Sequence, residues 1–321
     1  MRPNTDPSIS KLFNAWLWLL IGLVFATVLV GGLTRLYEAG LSMVDWRPIG
    51  GILPPLTGTD WQVEFSRYQA YPQYQKVMQG ISLTQFKWLF FWEWFHRIMG
   101  RIVGLVALLG ALVFGVQRRW SASLVFLGVV MQGIVGWLMV QTGLVNAPSV
   151  SPYALMIHLS LATALLLLCV GLLTQSWAPL FCMKRMRYAL WGLCSMLGIQ
   201  IMLGAVVAGL DAGIGYNTFP LMNGQWLPIE EPHPYVMQWI HRFFGVLIGV
   251  TSIWVFFQTK GSSSALKRWC LFICVAVGMQ IALGIMTLVY LVPTHLASLH
   301  QLMGLALIAL VFSVAVRLRR V

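Results

Sequence analysis

Eight stretches of this chain are apolar for about 20 residues or more, the length a helix needs to cross a hydrocarbon layer. They lie at roughly 12–36, 88–116, 121–141, 153–177, 188–209, 236–258, 269–291 and 297–316. Inside a bilayer no water satisfies backbone N–H and C=O groups, so each stretch must close its own hydrogen bonds as a helix. The expected fold is therefore an all-α polytopic membrane protein with eight transmembrane helices. Only 9% of the residues are charged, which excludes an ordinary soluble domain of this length.

The net charge of +12 would suit a nucleic-acid partner if it were spread over one face. It is instead sorted along the chain. Counting from a cytoplasmic N-terminus, the inner segments hold Arg2, Lys11, Arg118, Arg119, Lys184, Arg185, Arg187, Lys260, Lys267, Arg268, Arg317, Arg319 and Arg320, against one acid, Asp6. The outer segments and outer helix ends mix bases with the remaining acids. This bias follows the positive-inside rule and predicts that both termini are cytoplasmic.

Cys169, Cys182, Cys194, Cys270 and Cys274 all fall on the predicted inner side, so no outer disulfide is expected. Cys270 and Cys274 share a helix face and read as packing residues. Span 1 is too long for a signal-peptide core and ends in Gly31-Gly32-Leu33-Thr34-Arg35 without a cleavage pattern. It is expected to remain as a span, and a bacterial cytoplasmic membrane is the expected location.

Internal repetition divides the chain. His96-Arg97-Ile98-Met99-Gly100 returns as His241-Arg242-Phe243-Phe244-Gly245. Met131-Gln132 with Gly136 returns as Met279-Gln280 with Gly284, and Gln200 with Gly204 echoes both. His96 precedes His241 by 145 residues, and His158 precedes His300 by 142. Four spans, an even number, separate equivalent positions, so the halves are expected as two pseudo-twofold-related four-helix bundles, 1–180 and 181–321, about an axis along the membrane normal.

Two segments exceed simple connectors. In the first, 37–87, Asp60 to Tyr68 reads as a short interfacial helix, and Ser82 to Gln85 as a capping box opening span 2. The second, 211–235, is rich in Gly and Pro. Gly213, Phe219-Pro220 and Leu227-Pro228 there echo Gly40, Trp46-Arg47-Pro48 and Leu53-Pro54. Both segments follow the first span of a half, which suits lids over an outward pocket; plain surface is the alternative.

Spans 2, 4, 6 and 8 run in the same direction, and each carries a histidine in its first turns: His96, His158, His241 and His300. A single intramembrane histidine is commonly a helix-to-helix hydrogen bond. Four at matched depths of a duplicated unit point instead to two facing imidazole pairs, a ligand set suited to haem iron. Gly100, Gly104, Gly245 and Gly249 are expected to leave room for a macrocycle. No short-spaced Cys/His cluster suggests zinc. His233 and His295 break the repeat and read as loop residues.

Arg97 and Arg242 follow the repeated histidines, either as partners of haem propionates or reaching the outer headgroups. Glu93 lies one turn before His96, whereas Gln238 occupies that place before His241. Two equal electron-transfer sites would not need that difference; a catalytic site beside an electron-transfer site would. Pairing of Glu93 with Arg97 alone is the alternative.

Taken together, the end of span 1, the Glu93-His96-Arg97 element, His158, the His241-Arg242 element and His300-Gln301 resemble the haem A synthases over nearly the whole chain. That resemblance implies oxidation of the C8 methyl group of haem O to a formyl group, giving haem A for terminal oxidases. It implies that His96 and His158 ligate the substrate haem, that His241 and His300 hold a haem b cofactor, and that Glu93 is the functional carboxylate. It also implies haem O synthase, a membrane electron donor and a second copy of the chain as candidate partners. Many relatives carry cysteine pairs in outer loops; this chain resembles the cysteine-poor branch. A di-haem b-type cytochrome that only relays electrons would use the same four histidines.

Overall fold

The computed structural model describes residues 7–45, 51–115, 120–144, 147–182, 184–226 and 233–320. Among the described residues ten helices and two short strands follow in order. They are α1 (Pro7–Leu36), α2 (Gly58–Gln69), α3 (Pro72–Lys76), α4 (Leu83–Gly115), α5 (Trp120–Leu144), α6 (Pro152–Thr174), β1 (Leu180–Cys182), α7 (Lys184–Gly209), α8 (His233–Phe257), α9 (Ser264–Val289), α10 (Thr294–Val316) and β2 (Leu318–Arg320). Eight of them are long and apolar enough to span a membrane. This is the expected polytopic all-α fold.

The eight predicted spans fall on these eight helices, but the ends differ by a few residues. Hydropathy does not set the ends; capping does. Span 7, expected to run to 291, stops at Val289, because Leu291 and Val292 take positive φ of 65° and 58°. Span 2 begins earlier than its apolar core, where Ser82 and Gln85 form the expected capping box: Ser82 N donates to Gln85 Oε1 at 2.8 Å and Gln85 N to Ser82 Oγ at 3.3 Å.

One compact unit comprises Gly22–Ala162. α4 packs along α5, and its 33 residues, about 50 Å at 1.5 Å per residue, exceed a hydrocarbon layer of about 30 Å. The extra length begins at Leu83, and there the α2–α3 hairpin docks. Tyr68 stacks on Phe86, Trp61 meets Phe90 edge-on, and Tyr68 is fully buried. The expected helix at Asp60–Tyr68 is α2, opened by a capping box between Thr57 and Asp60. Those bonds from Thr57 hold the Asp60 carboxyl below its ordinary pKa. Tyr68 Oη donates to Gln73 Oε1, and Gln73 Nε2 donates to the Glu38 carbonyl at 2.8 Å, tying the hairpin to the end of α1. Burial, then the nearby Glu38 charge, raises the Tyr68 phenol pKa, so it stays a donor.

The other unit comprises Met1–Ile21 and Thr163–Val321. α7, α8, α9 and α10 close a ring, each packed on its two neighbours. Leu190, Leu193, Ile273 and Val311 fill its centre, and Cys182, Cys194 and Cys270 are buried in the same cluster. All five cysteines are free; of the pair read as packing residues, Cys270 is buried in this cluster and Cys274 is partly exposed, with its Sγ 3.6 Å from Ser252 Oγ. β1 and β2 pair in parallel, Leu180 with Leu318, joining the segment before α7 to the end of α10.

Many large apolar side chains face outward in mid-helix, Ile102 and Leu105 on α4 and Val246 and Val250 on α8 among them. Such surfaces suit lipid, where burial of apolar area no longer drives helix association and close packing and interhelical bonds must do so.

α1, α7 and α9 end in the same turn. Ala39 N donates to the Thr34 carbonyl, Ala212 N to Val207, and Val292 N to Thr287. The residue before each donor has a left-handed backbone: Glu38 at φ 53°, Asp211 at 52° and Leu291 at 65°. These are Schellman-type ends without the usual glycine.

Candidate functional site

Each of the four histidines lies against a glycine of the preceding long helix. A Cβ on Gly31 would fall 2.7 Å from Cε1 of His96; on Gly136, 2.8 Å from that of His158; on Gly204, 3.1 Å from that of His241; on Gly284, 2.8 Å from that of His300. Only glycine lets the imidazole lie this close to a facing helix. The expected glycines behave differently. A Cβ on Gly100 or Gly104 would meet nothing within 4 Å, whereas one on Gly245 meets Gln200 and one on Gly249 meets Ile281.

Three of the histidines also share a glutamine, one turn before the glycine. Gln132 Nε2 donates to the His158 carbonyl at 3.1 Å, Gln200 Nε2 to that of His241 at 3.0 Å, and Gln280 Nε2 to that of His300 at 2.9 Å. A carbonyl accepts only, so it fixes which end of each amide faces it. The same nitrogens lie 3.1–3.4 Å from a ring nitrogen of those histidines. The repeated Gln and Gly were visible in the sequence, but their contact with the histidines was not read from it.

The four residues are half-buried, yet Nδ1 of His96, His158 and His241 is sealed from solvent with no protein partner. An unpartnered buried imidazole nitrogen is costly, and a metal bond relieves it. The rings of His241 and His300 lie 6.5 Å apart between centres, inclined by 80°. An iron–imidazole bond of about 2 Å on each side, with about 1 Å from nitrogen to ring centre, places two ligands of one iron about 6 Å apart. The residues present fit a bis-imidazole haem. His96 and His158 are electrostatic neighbours in the other unit. Among the described residues no group of three or more His, Cys, Asp or Glu side chains gathers around a bare metal ion.

Arg97 reaches back to the loop after α1. Its Nε donates to Glu93 Oε1 at 2.8 Å, and its terminal nitrogens donate to the carbonyls of Asp45 at 3.0 Å and Met43 at 2.8 Å. Arg242 does the same with the loop after α7, donating to the Thr218 and Tyr216 carbonyls. Both arginines pin a loop over the histidine end of their helix. Glu93 is 4% exposed and faces Gly40, while Gln238 donates its amide to the Tyr216 carbonyl. His233 opens α8 and His295 lies in the first turn of α10, so neither is a loop residue as expected. The Trp46-Arg47-Pro48 and Leu227-Pro228 echoes lie outside the described residues.

Residues 14–312 match the COX15-CtaA family of cytochrome oxidase assembly proteins. The chain belongs to this family. It is 42% identical to the heme A synthase of Mesorhizobium japonicum, over 95% of this chain and 89% of that one. It is 37% identical to the heme A synthase of Rhodospirillum centenum, over 93% and 86%. With that of Rickettsia prowazekii it shares 36%, over 94% and 96%. The COX15-CtaA match runs from α1 into α10, so it takes in all four histidines, both arginines and Glu93.

Proposed function

We propose that this COX15-CtaA member is a haem A synthase that oxidises the C8 methyl group of haem O to a formyl group. Its relatives carry that name across nearly their whole length. The observation that ties the activity to particular residues is the 6.5 Å separation of the His241 and His300 rings. In this reading those two hold a haem b in the C-terminal half, 181–321. His96 and His158 hold the substrate haem in the N-terminal half, 1–180. Bound haem supplies the electron and oxygen chemistry, and the protein supplies ligands, position and charge.

Glu93 is the group beside His96 that can hold or pass a proton, and its bond to Arg97 fixes one oxygen while the other faces Gly40. Arg97 and Arg242 keep the loops closed over the histidine ends, which excludes water. The same two arginines are the candidate cations for haem propionates. Gln238 in place of Glu93 fits a half that carries electrons only, which disfavours a plain di-haem cytochrome. The protein sits in the bacterial cytoplasmic membrane with both termini cytoplasmic, receives haem O from haem O synthase, and draws electrons from a membrane donor. A second copy of the chain is the candidate oligomeric partner.

The test is expression in a host that makes haem O but no haem A, followed by chromatography of extracted haems. Haem A is the expected product. Haem O alone from a well-expressed, membrane-inserted protein would overturn the proposal.

A further inference from the structure

The glutamine that accompanies three histidines is missing from the fourth. The place one turn before Gly31, equivalent to Gln132, Gln200 and Gln280, is held by Thr27. Its hydroxyl donates to the Leu23 carbonyl of its own helix at 2.7 Å and contributes nothing across to α4. His96 keeps a hydrogen bond to the Thr27 main chain, as His300 does to that of Gln280. Its Nδ1 is buried without a partner like those of His158 and His241, so what it lacks is the side-chain amide. The flank of the ring differs too. Gln200 and Gln280 press against Gly245 and Gly304, each one turn after its histidine, with 3.2 Å from the amide nitrogen to a Cβ built there. At Gly100, one turn after His96, a Cβ meets nothing within 4 Å.

We infer that Thr27 makes His96 the exchangeable ligand of the N-terminal site and that Gln132 makes His158 the fixed one. The inference rests on the reading that His96 and His158 hold the substrate haem. An amide that grips the histidine carbonyl and abuts its ring restrains both main chain and imidazole. A side chain that turns back on its own helix restrains neither, and the open flank at Gly100 gives the ring somewhere to swing. Groups around a ligand of this kind typically change metal affinity by about 10–100-fold. The chemistry requires such a difference. A substrate haem must enter, react and leave, and a reacting iron needs a position that opens, whereas a haem kept for electron transfer gains from two restrained ligands. Gln200 and Gln280 restrain both ligands of the C-terminal site. Gln132 and Thr27 restrain one of two.

The test uses the full-length protein in detergent, loaded with haem O and reduced, with carbon monoxide as the probe. The signal lost in His158→Ala identifies the N-terminal haem. Thr27→Gln installs the missing amide and is expected to slow carbon monoxide binding by about tenfold, with a rise in the low-spin spectrum of that haem. Gln132→Leu, which removes the amide from His158, is expected to speed loss of the same haem to apomyoglobin by about tenfold. Gln200→Leu acts on the other site: the signal that His158→Ala removes should keep its wild-type rate, and any carbon monoxide signal the variant adds should survive in His158→Ala. Wild-type rates in both Thr27→Gln and Gln132→Leu would overturn the inference. Should one of the two fail to insert, the other decides. Haem A in extracts of the wild-type cells tests the parent reading separately. Haem A present with symmetric ligands sinks this inference alone, and haem A absent sinks the parent reading while the carbon monoxide rates still decide between fixed and exchangeable ligands.

Discussion

Gly31 and His96 approach so closely that a Cβ on the glycine would stand 2.7 Å from the imidazole Cε1, against 3.1 Å for the equivalent Gly204 and His241. Neither contact involves a flexible chain end, so alanine at Gly31 must displace the ring. A misplacement of about 1 Å near a reacting centre can cost about 100-fold in rate. Gly31→Ala is expected to reduce haem A output by about that factor while the haem b spectrum persists. Gly204→Ala is expected to disturb the haem b spectrum and to do so more mildly. Haem chromatography and visible spectra of the two purified variants check both statements.

His241→Ala and His300→Ala are each expected to abolish the low-spin haem b spectrum, because one iron needs both rings. Replacing either should be as damaging as replacing both. A low-spin spectrum unchanged in His241→Ala would show that the two rings do not share an iron.

Glu93→Gln keeps the shape of the side chain and an acceptor for Arg97, whose bonds to Met43 and Asp45 hold the loop independently. The variant is expected to insert and to retain haem b. Haem A should fall at least about tenfold, the ordinary contribution of a positioned acid or base being about 100-fold or more. Haem O or a partly oxidised haem should accumulate. Normal haem A from normally expressed protein would leave Glu93 as a structural partner of Arg97.

Arg97→Ala removes a buried ion pair and two carbonyl bonds at once, leaving the nearly sealed Glu93 carboxyl without its cation. Losing one partner of such a pair costs about 3–5 kcal/mol. Residues 37–82 should become sensitive to protease added from the loop side. Arg242→Lys should fail to rescue the second loop, since one ammonium lacks the fork that reaches both Tyr216 and Thr218.

Reporter fusions at Val321 and within residues 55–80 are expected to report opposite compartments, the former cytoplasmic. Equal compartments would contradict the charge-based orientation.

The helices and the four histidines were legible because hydropathy and a duplicated pattern act over long stretches of chain. The Asp60–Tyr68 helix was legible from its aromatics. α3 and the β1–β2 pair were not, being too short to carry a period. The roles of Gln132, Gln200 and Gln280 escaped because a repeat shows that residues matter without showing what they touch. Thr27 escaped for a further reason: the fourth copy of the pattern had lost its marker, and only the facing histidine reveals it. For Arg97 and Arg242 the sequence suggests haem propionates or outer headgroups, and for Arg97 also the pairing with Glu93 that is present. Their grip on the carbonyls of Asp45 and Thr218 joins residues 52 and 24 positions apart, which no local pattern encodes.

The turns that end α1, α7 and α9 stand seven residues beyond Gly31, Gly204 and Gly284, and each forces a side-chain-bearing residue into a left-handed backbone. Such a conformation costs about 1 kcal/mol or more that glycine would spare. Glu38 and Asp211 are carboxylates but Leu291 is apolar, so the strain serves no side chain common to all three. What persists is the spacing from imidazole contact to chain reversal. The duplicated scaffold behaves like a ruler that has been copied, with the markings on it changed. Chemistry in this protein has been varied between positions that the backbone keeps at fixed intervals, and for that reason one residue exchanged at Thr27 or Glu93 can distinguish two otherwise matched halves.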